Sequence, residues 1–381
     1  MKIVDVKTYL LEAALDAPFF FSQPGMVTKR SSMVVELVTS DGITGFGESL
    51  CHGLQPPEIA RATVESCLKE LILQKNPFDV GVLFEQMYNR TKDFGQKGAV
   101  IGAISAVDIA LWDVLGKALN RPVHQLLGGS FRTAVEPYAT GFYRREGMDP
   151  GALVDEALDY KAKGFKGMKV KIGFGVAQDV QLIAKIRDAV GSDIRLMVDA
   201  NHAYNASIAR RLVRELDPLD VYWLEEPISP EDIDGYVELR RIAPKMLLTT
   251  GENEFTRYGF WPWAVKRAAD ILQPDIAASG GFTGLKEIMT LTQAAGMMIN
   301  PHVWGTAIGL AASLQFLAVI PPNPISRGQA EPLLEYDRSA HPFRRELVEN
   351  PVDMVEGMVP IPNEPGIGVA INRDVLERYS R

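Results

Sequence analysis

Three acidic residues each end a run of apolar residues, and they are almost evenly spaced along the chain. They are Asp199, Glu225 and Glu252, separated by 26 residues (225−199) and 27 residues (252−225). One strand, one helix and two loops take that length, so the spacing predicts successive βα units of a parallel barrel. The carboxyl ends of barrel strands share one face, where three carboxylates would repel each other. We therefore predict that a hard divalent cation, Mg²⁺, is bound there.

Length, composition and charge favour a two-domain globular protein. The chain has 381 residues, 46% hydrophobic and 23% charged, with a net charge of -8. This charge argues against nucleic acid and an anionic membrane as partners. Only two cysteines are present, and residues 1–8 lack a signal-peptide core, so we expect a cytoplasmic location. We find no apolar run near the roughly 20 residues that a membrane helix needs.

Residues 1–128 have the pattern of an α+β domain. The first 50 residues predict an antiparallel meander, with Asp41 and Gly42 in a hairpin turn. Three adjacent phenylalanines, 19–21, indicate a loop that folds over something apolar. Helical patterns follow over 57–72, 80–88 and 100–118. The glycines at 128 and 129 then predict a domain boundary.

Residues 129–349 alternate short strands with helices. Eight candidate strands in this order predict an α/β fold with a modified (β/α)₈ TIM barrel. Their predicted ranges are 136–140, 167–172, 195–199, 221–225, 247–251, 271–273, 297–300 and 333–335. Helical patterns between them include 180–190, 207–216 and 285–295. The tail 350–381 is expected to return to the first domain.

Two lysines lie on the second predicted barrel strand. Lys169 and Lys171 are two residues apart, so they share one face of the strand. Two close ammonium groups lower each other's pKa, and such a lysine can act as a base near neutral pH. The alternative is a pair of surface lysines on an edge strand, which the apolar neighbours disfavour.

An aspartate and a histidine end the next two strands after Glu252. Asp275 and His302 are 27 residues apart (302−275). An aspartate beside a histidine can fix the imidazole and raise its basicity, so the pair predicts a second acid/base. A capping aspartate and an unrelated hydrogen-bonded histidine are the alternative.

Other polar residues follow the same strand ends. Glu226 alternates with Glu225, so we expect it to point away into a structural salt bridge. Asn201 and Asn253 are expected to contact metal-bound water or substrate. Glu335 and its rival Glu331 are candidates for a hydrogen bond to an enolate oxygen.

Two arginines follow the first barrel strand. Arg144 and Arg145 either bind a distal carboxylate of the substrate or are solvated. The sequence leaves both alternatives open.

Together these motifs resemble the enolase superfamily, in its mandelate racemase/muconate lactonizing enzyme-like subgroup. They are Lys169-Val-Lys171, Asp199, Glu225-Glu-Pro227, Gly251-Glu-Asn253, Asp275 and His302. The resemblance implies that the α+β domain caps the barrel and that the ligands of Mg²⁺ are Asp199, Glu225 and Glu252. It implies that Lys171 is a base whose pKa Lys169 lowers, and that Asp275 and His302 form the second acid/base.

A narrower resemblance, to galactaro-1,4-lactone cycloisomerases, rests on residues 138–141, 171–175, 199–202, 301–305, 331–337 and 372–374. It implies β-elimination that opens a sugar-diacid lactone to a keto-deoxy-hexarate, after Lys171 or His302 removes the proton α to the carboxylate. The alternatives are an acid-sugar dehydratase and a racemase or epimerase; a non-catalytic binding protein fits poorly, because no base or ligand is lost. We expect a small acid sugar or its lactone as partner, a homo-oligomer, and specificity set by the phenylalanine segment and residues 48–53.

Overall fold

A computed structural model describes residues 1–22, 25–51, 54–243, 245–322 and 331–381. The chain begins with an antiparallel sheet in the order β1 (Ile3–Phe19), β2 (Val27–Thr39) and β3 (Thr44–Ser49), which confirms the predicted meander. The helices that follow it are α1 (Pro57–Thr63), α2 (Lys69–Ile72), α3 (Val80–Thr91), α4 (Ala99–Leu119) and α5 (Val123–Leu126), of which α1 and α4 pack on the sheet. A π-helical turn at Val64–Leu68 joins α1 to α2. We call this N-terminal α+β part the capping domain.

Two glycines let α4 lie against β3. A Cβ added at Gly47 would lie 1.9 Å from the carbonyl oxygen of Ala106, and one at Gly45 would lie 2.3 Å from that of Ala110. Only a residue without a side chain permits this approach of backbone to backbone. The central helix of the capping domain is therefore fixed directly on its sheet.

Helix α4 corrects the expectation that no apolar run approaches the length of a membrane helix. It is long and apolar enough to cross a membrane by length and composition, and 83% of its most apolar window is buried inside the protein. The sequence pattern hid this because Asp108 and Asp113 interrupt the apolar run. Both are buried and hydrogen-bonded: Asp108 accepts from Thr283 of the barrel, and Asp113 accepts from the backbone of the C-terminal tail. Packing inside the protein accounts for the helix.

Eight parallel strands form the second sheet, and each overlaps its predicted range. They are β5 (Pro137–Thr140), β6 (Gly167–Lys171), β7 (Arg195–Asp199), β8 (Val221–Glu225), β9 (Leu247–Thr250), β10 (Ile271–Leu272), β11 (Met298–Ile299) and β12 (Leu334–Asp337). Their order is β11-β10-β9-β8-β7-β6-β5-β12. The intervening helices are α6 (Ala152–Ala162), α7 (Val176–Val190), α8 (Ala206–Leu216), α9 (Ile233–Ile242), α10 (Thr256–Lys266), α11 (Gly281–Ala294) and α12 (Ala307–Val319). The predicted fold class, a modified barrel with an N-terminal α+β domain, is confirmed.

The first and last strands of this sheet, β11 and β12, are joined by side chains. The backbone N–H of Leu333 donates to the Asn300 side chain at 2.6 Å, and the N–H of Val303 donates to Glu335 at 3.1 Å. The departure from the regular barrel thus falls at its last unit. It brings Glu335 to the segment that carries His302.

The C-terminal tail contacts both parts of the protein. Strand β13 (Val359–Pro360) pairs with β4 (Ala134–Val135). After it, α13 (Arg373–Tyr379) brings Arg373 into an ion pair with Glu36 of β2 at 2.7 Å. The domain division at residues 128 and 350 stays a prediction.

The three phenylalanines differ from expectation. Phe19 is the last residue of β1, and Phe20 forms an isolated antiparallel bridge with Arg144. Phe21 follows and lines the cavity described below. The segment is therefore an extension of a strand rather than a free loop. Residues 52 and 53 of the predicted specificity segment lie outside the described residues.

Candidate active site

The three predicted metal-binding carboxylates, Asp199, Glu225 and Glu252, come together at one end of the barrel. Asp199 and Glu225 are the last residues of β7 and β8 and lie opposite each other in the sheet register. Glu252 follows the end of β9. Ligand oxygens of all three lie within 4.8 Å of one another, and all three side chains are buried. A shared register at strand ends produces this cluster.

Both predicted lysines point into the barrel and reach these carboxylates. The Nζ of Lys169 lies 2.6 Å from Oε1 of Glu225 and 2.7 Å from Oε1 of Glu335. The Nζ of Lys171 lies 2.5 Å from Oδ2 of Asp199. Lys169 is fully buried and Lys171 nearly so, which excludes the alternative of surface lysines on an edge strand.

Lys169 acts on the pKa of Lys171 in the predicted direction, but in the chain alone this pKa is raised overall. Burial and the neighbouring Lys169 lower this pKa, but Asp199 and the other nearby carboxylates outweigh them and raise it above the ordinary value. Burial also opposes the charge of Lys169, whose pKa Glu225 and Glu335 nevertheless hold well above the ordinary range. The prediction considered the two ammonium groups without the anions between which they lie.

Asp275 and His302 meet as the sequence predicts they should. Nδ1 of His302 lies 2.7 Å from Oδ2 of Asp275, and Nε2 lies 3.4 Å from Oε2 of Glu252. Burial lowers the pKa of His302, but Glu252, Glu335 and Asp275 raise it overall to about 9. The imidazole is thus oriented by Asp275 with its other nitrogen toward the carboxylates.

The structure distinguishes the two rival glutamates. Glu335 is buried, accepts from Thr140 at 2.9 Å, and lies 3.9 Å from Nε2 of His302. The side chain of Glu331 is 57% exposed and pairs with Arg132. Only Glu335 therefore lies beside the two candidate bases.

Glu226 is a residue that the strand pattern misplaced. Its φ of 39° turns the chain just after β8, so alternation no longer applies. The side chain is fully buried and accepts hydrogen bonds from Asn253 at 3.0 and 3.2 Å. Burial, then the charges of Glu252, Asp199 and Glu225, raise its pKa well above the ordinary value. Among the described residues no salt bridge to Glu226 is found, so the predicted structural salt bridge is wrong.

Asn201 and Asn253 occupy different positions at the site. The side chain of Asn201 accepts from Lys171 at 3.2 Å and donates to Glu252 at 3.3 Å. Asn253 instead holds Glu226. Both line the same cavity, so their predicted contacts with substrate or metal-bound water stay predictions.

A cavity of about 310 Å³ opens onto these groups. Its described lining consists of Phe21, Leu54, Gln55, Tyr143, Lys171, Asn201, His202, Glu252, Asn253, His302, Trp304 and Glu335. Arg144 and Arg145 do not belong to it; the Arg144 guanidinium lies over Phe174, 4.5 Å from the ring centroid. A larger cavity of about 670 Å³ lies at the amino ends of the strands and contains none of these carboxylates.

Sequence reasoning missed four residues in and behind the cavity wall. Arg30, Tyr143, Trp304 and Asp337 form one buried hydrogen-bonded and stacked cluster. Arg30 is on β2, whereas the others come from the barrel. No signal in the sequence indicates such a cluster, because Arg30 lies among other polar residues of β2, Lys29 and Ser31.

The carboxylate cluster fits a bound Mg²⁺. Oε2 of Glu252 is buried and has no hydrogen-bond donor among the described residues. Burial raises the pKa of Glu225 to about 7 despite the adjacent Lys169. Three buried carboxylates with ligand oxygens this close together suit a hard divalent cation, and Asp199, Glu225 and Glu252 are placed to hold it.

Family comparisons agree with this geometry. Residues 4–128 match the family described as mandelate racemase/muconate lactonizing enzyme, N-terminal domain, and residues 152–375 match enolase C-terminal domain-like. The chain belongs to the mandelate racemase/muconate lactonizing enzyme family of the enolase superfamily. It is therefore an enzyme of that superfamily, whose members bind Mg²⁺.

Several relatives cover the whole chain. D-galactarolactone cycloisomerase from Agrobacterium fabrum is 40% identical over 380 residues, covering 100% of this chain and 99% of its own. Arabinonate dehydratase from Saccharolobus solfataricus is 33% identical, covering 99% of both chains. The solved 3,6-anhydro-D-galactonate cycloisomerase from Zobellia galactanivorans is 37% identical with a TM-score of 0.89, covering 100% of both. A Streptomyces coelicolor racemase with bound magnesium is 27% identical with a TM-score of 0.88, covering 100% of both.

Proposed function

We propose that this enzyme opens a sugar-diacid lactone, of the galactaro-1,4-lactone type, by β-elimination. The C–H bond α to the free carboxylate breaks, its electron pair forms a C=C bond, and the ring C–O bond at the β carbon breaks. The resulting enol tautomerises to a keto-deoxy-hexarate with the same formula as the substrate. A single observation carries the proposal: Lys171 and His302 line one cavity together with the carboxylate cluster.

Two proton-transfer groups at one cavity match the two proton movements of this reaction. Lys171 follows the carboxyl end of β6, and His302 follows β11, so they reach the substrate from different strands. One takes the α proton, and the other can deliver a proton to the β carbon as the enol becomes the ketone. Which group is the base depends on the configuration of the α carbon, and both assignments fit the geometry.

The remaining groups at the site stabilise the negative charge that develops on the substrate or orient the proton-transfer groups. Bound Mg²⁺ would draw electron density from the substrate carboxylate and so make the adjacent proton more acidic. The ammonium of Lys169 is held by Glu225 at 2.6 Å and by Glu335 at 2.7 Å, so it needs no rearrangement when negative charge builds up. Asp275 fixes the tautomer and orientation of His302.

The capping wall of the cavity supports a lactone over an open diacid. The described residues that the capping domain contributes, Phe21, Leu54 and Gln55, are uncharged. No arginine or lysine from that domain lines the cavity within the described ranges, which omit residues 52 and 53. An open aldarate would bring a second carboxylate to this wall, whereas a lactone brings a neutral ring. Relatives named as cycloisomerases of a galactarolactone and of an anhydro sugar acid point the same way.

Dehydration of an acid sugar is the second candidate function. The full-length relative named as an arabinonate dehydratase favours it, because the same α-proton removal followed by loss of hydroxide gives that reaction. The two candidates differ only in the leaving group at the β carbon.

Product mass distinguishes these reactions. The protein with Mg²⁺ is incubated with galactaro-1,4-lactone, glucaro-1,4-lactone, galactarate and glucarate, and products are followed by mass spectrometry and NMR. Conversion of a lactone to a keto-deoxy diacid of unchanged formula supports the proposal. Turnover of the open acids alone, with loss of one water, assigns the dehydratase instead. A parallel sample with EDTA measures spontaneous lactone hydrolysis, which adds one water.

A further inference from the structure

A buried arginine of the capping domain reaches the wall of the active-site cavity. Arg30 on β2 is 2% exposed, and its guanidinium lies 4.1 Å from the ring centroid of Trp304. Its Nη2 donates to Asp337 at 3.3 Å, and Nε donates to the carbonyl oxygen of Ala340 at 3.2 Å. Burial opposes such a charge, so an ion pair and a stacked ring are the compensation that it needs.

The hydrogen bonds around Tyr143 have only one consistent arrangement. The indole Nε1 of Trp304 can only donate, and it donates to the Tyr143 hydroxyl at 2.7 Å. Asp337 pairs with Arg30 and also accepts from Ser339, so its carboxylate is an acceptor. The single proton of Tyr143 therefore goes to Oδ1 of Asp337, 3.2 Å away. One lone pair of the tyrosine oxygen is left.

This arrangement fixes the polarity of one part of the cavity. Tyr143 and Trp304 both line it, next to Phe21 of the capping domain. A substrate hydroxyl can donate to the remaining lone pair of Tyr143. A carboxylate placed there would meet the same lone pair and would find no proton on Tyr143 to accept, because that proton is donated to Asp337. A ligand that leaves a polar group of the site unpaired binds more weakly than one that pairs with it, and this difference gives specificity.

We propose that Tyr143, held by Asp337 and Trp304, determines specificity by accepting a hydrogen bond from a substrate hydroxyl and rejecting a second carboxylate at that position. The inference rests on the proposed function in that it takes an acid sugar as the ligand. It adds a group on the cavity wall, beside Trp304, that recognises a hydroxyl of this ligand. Arg30 and Asp337 are positioning residues, because they act through Tyr143 and Trp304.

A matched pair of ligands tests the proposal without any need for turnover of a lactone. D-galactonate ends in a hydroxyl where galactarate ends in a carboxylate. The dissociation constants of both are measured by calorimetry with Mg²⁺ for the wild type, Tyr143→Phe, Asp337→Asn and Tyr160→Phe. Tyr160 is a matched control, because it is also buried and bonded to a carboxylate, Glu156 at 2.5 Å, but does not line the cavity.

Tyr143→Phe should weaken galactonate binding roughly 3- to 10-fold, the range for one hydrogen bond, and leave galactarate unchanged or tighter. Asp337→Asn should shift the ratio toward galactarate, because an amide can donate to Tyr143 and so turn the tyrosine proton to the cavity. Tyr160→Phe should leave the ratio as it is.

An equal change for both ligands in Tyr143→Phe, or an unchanged ratio in Asp337→Asn, would overturn the proposal. Thermal melting of each variant identifies one that fails to fold, and the other variant then decides. The lactone assay remains separate: a protein that opens no lactone but shows these binding ratios contradicts the proposed function and not this inference.

Discussion

The Nζ of Lys169 on β6 lies 2.7 Å from Oε1 of Glu335 on β12, although these two strands are not neighbours in the sheet. The same ammonium lies 2.6 Å from Glu225 on β8. One buried cation thus neutralises two carboxylates across the barrel. Burial raises the pKa of Glu335 in isolation, yet Lys169 and His302 hold it well below its ordinary range.

Replacement of Lys169 by Met should therefore destabilise the protein strongly. It leaves two buried carboxylates without their cation, and breaking a buried pair costs about 3–5 kcal/mol. In the double variant Lys169→Met/Glu335→Gln the loss of unfolding free energy should be smaller than the sum of the single losses. Urea denaturation measures all three.

Lys163→Met is the matched control for this cycle. Lys163 pairs with Asp159 at 2.6 Å, but both side chains are about half exposed, 50% and 51%. Its loss should be less than about 1 kcal/mol. Strictly additive losses for Lys169 and Glu335 would show that the two residues do not interact in solution.

Removal of Mg²⁺ should abolish activity and lower the melting temperature. A ligand at 100 times its Kd stabilises a protein by about 2.7 kcal/mol, so addition of Mg²⁺ to the EDTA-treated protein should raise Tm measurably. Glu252→Gln should lose most of this response. Glu254→Gln should keep it, since Glu254 is also buried but pairs with Lys97 instead. An equal Mg²⁺ response in both variants would contradict the assignment of Glu252.

Loss of either proton-transfer group should lower kcat by roughly 10²- to 10⁴-fold, the usual contribution of such a group. The variants are Lys171→Ala and His302→Asn, and initial rates on the lactone measure the effect. Lys166→Ala, at an exposed residue just before the same strand, should retain the wild-type rate. Full activity in Lys171→Ala would exclude the lysine as a base, and full activity in His302→Asn would exclude the dyad.

Asp108 should make stability depend on pH. Burial raises its pKa to about 7, against roughly 3.9 in the unfolded chain. A group with a raised folded pKa stabilises the fold fully below the unfolded value, and this stability is lost as pH rises through the folded value. Relative to Asp108→Asn, the wild type should lose up to roughly 1.4 kcal/mol per pH unit between pH 4 and 7. Urea denaturation of both proteins across this range measures this loss. A difference in unfolding free energy that stays constant with pH would contradict the prediction.

Much of the barrel could be predicted because its βα units repeat at a regular interval along the sequence. Asp199, Glu225 and Glu252 end apolar runs at the interval of a βα unit, and parallel strands bring such residues to one face. Their meeting, and that of Asp275 with His302, follows from this geometry alone. The roles assigned to these side chains stay predictions.

What escaped prediction depends on contacts distant in sequence or on one unusual dihedral angle. Strand alternation could not place Glu226, because a positive φ turns the chain at that residue. Burial lowers the pKa of Lys171, but Asp199 of the next strand and other nearby carboxylates raise it overall. Arg30 meets Asp337 across 307 residues of chain, and no sequence interval indicates that contact.

The fate of the α hydrogen tests most directly whether Lys171 or His302 removes the α proton. Galactaro-1,4-lactone deuterated at the carbon α to its free carboxylate is incubated with the protein and Mg²⁺, and the product is analysed by NMR and mass spectrometry. We expect the deuterium to be lost to solvent, because this carbon becomes the keto carbon of the product. Ring-opened product that retains the deuterium, heavier by one water, would mean simple hydrolysis and would contradict α-proton removal by Lys171 or His302.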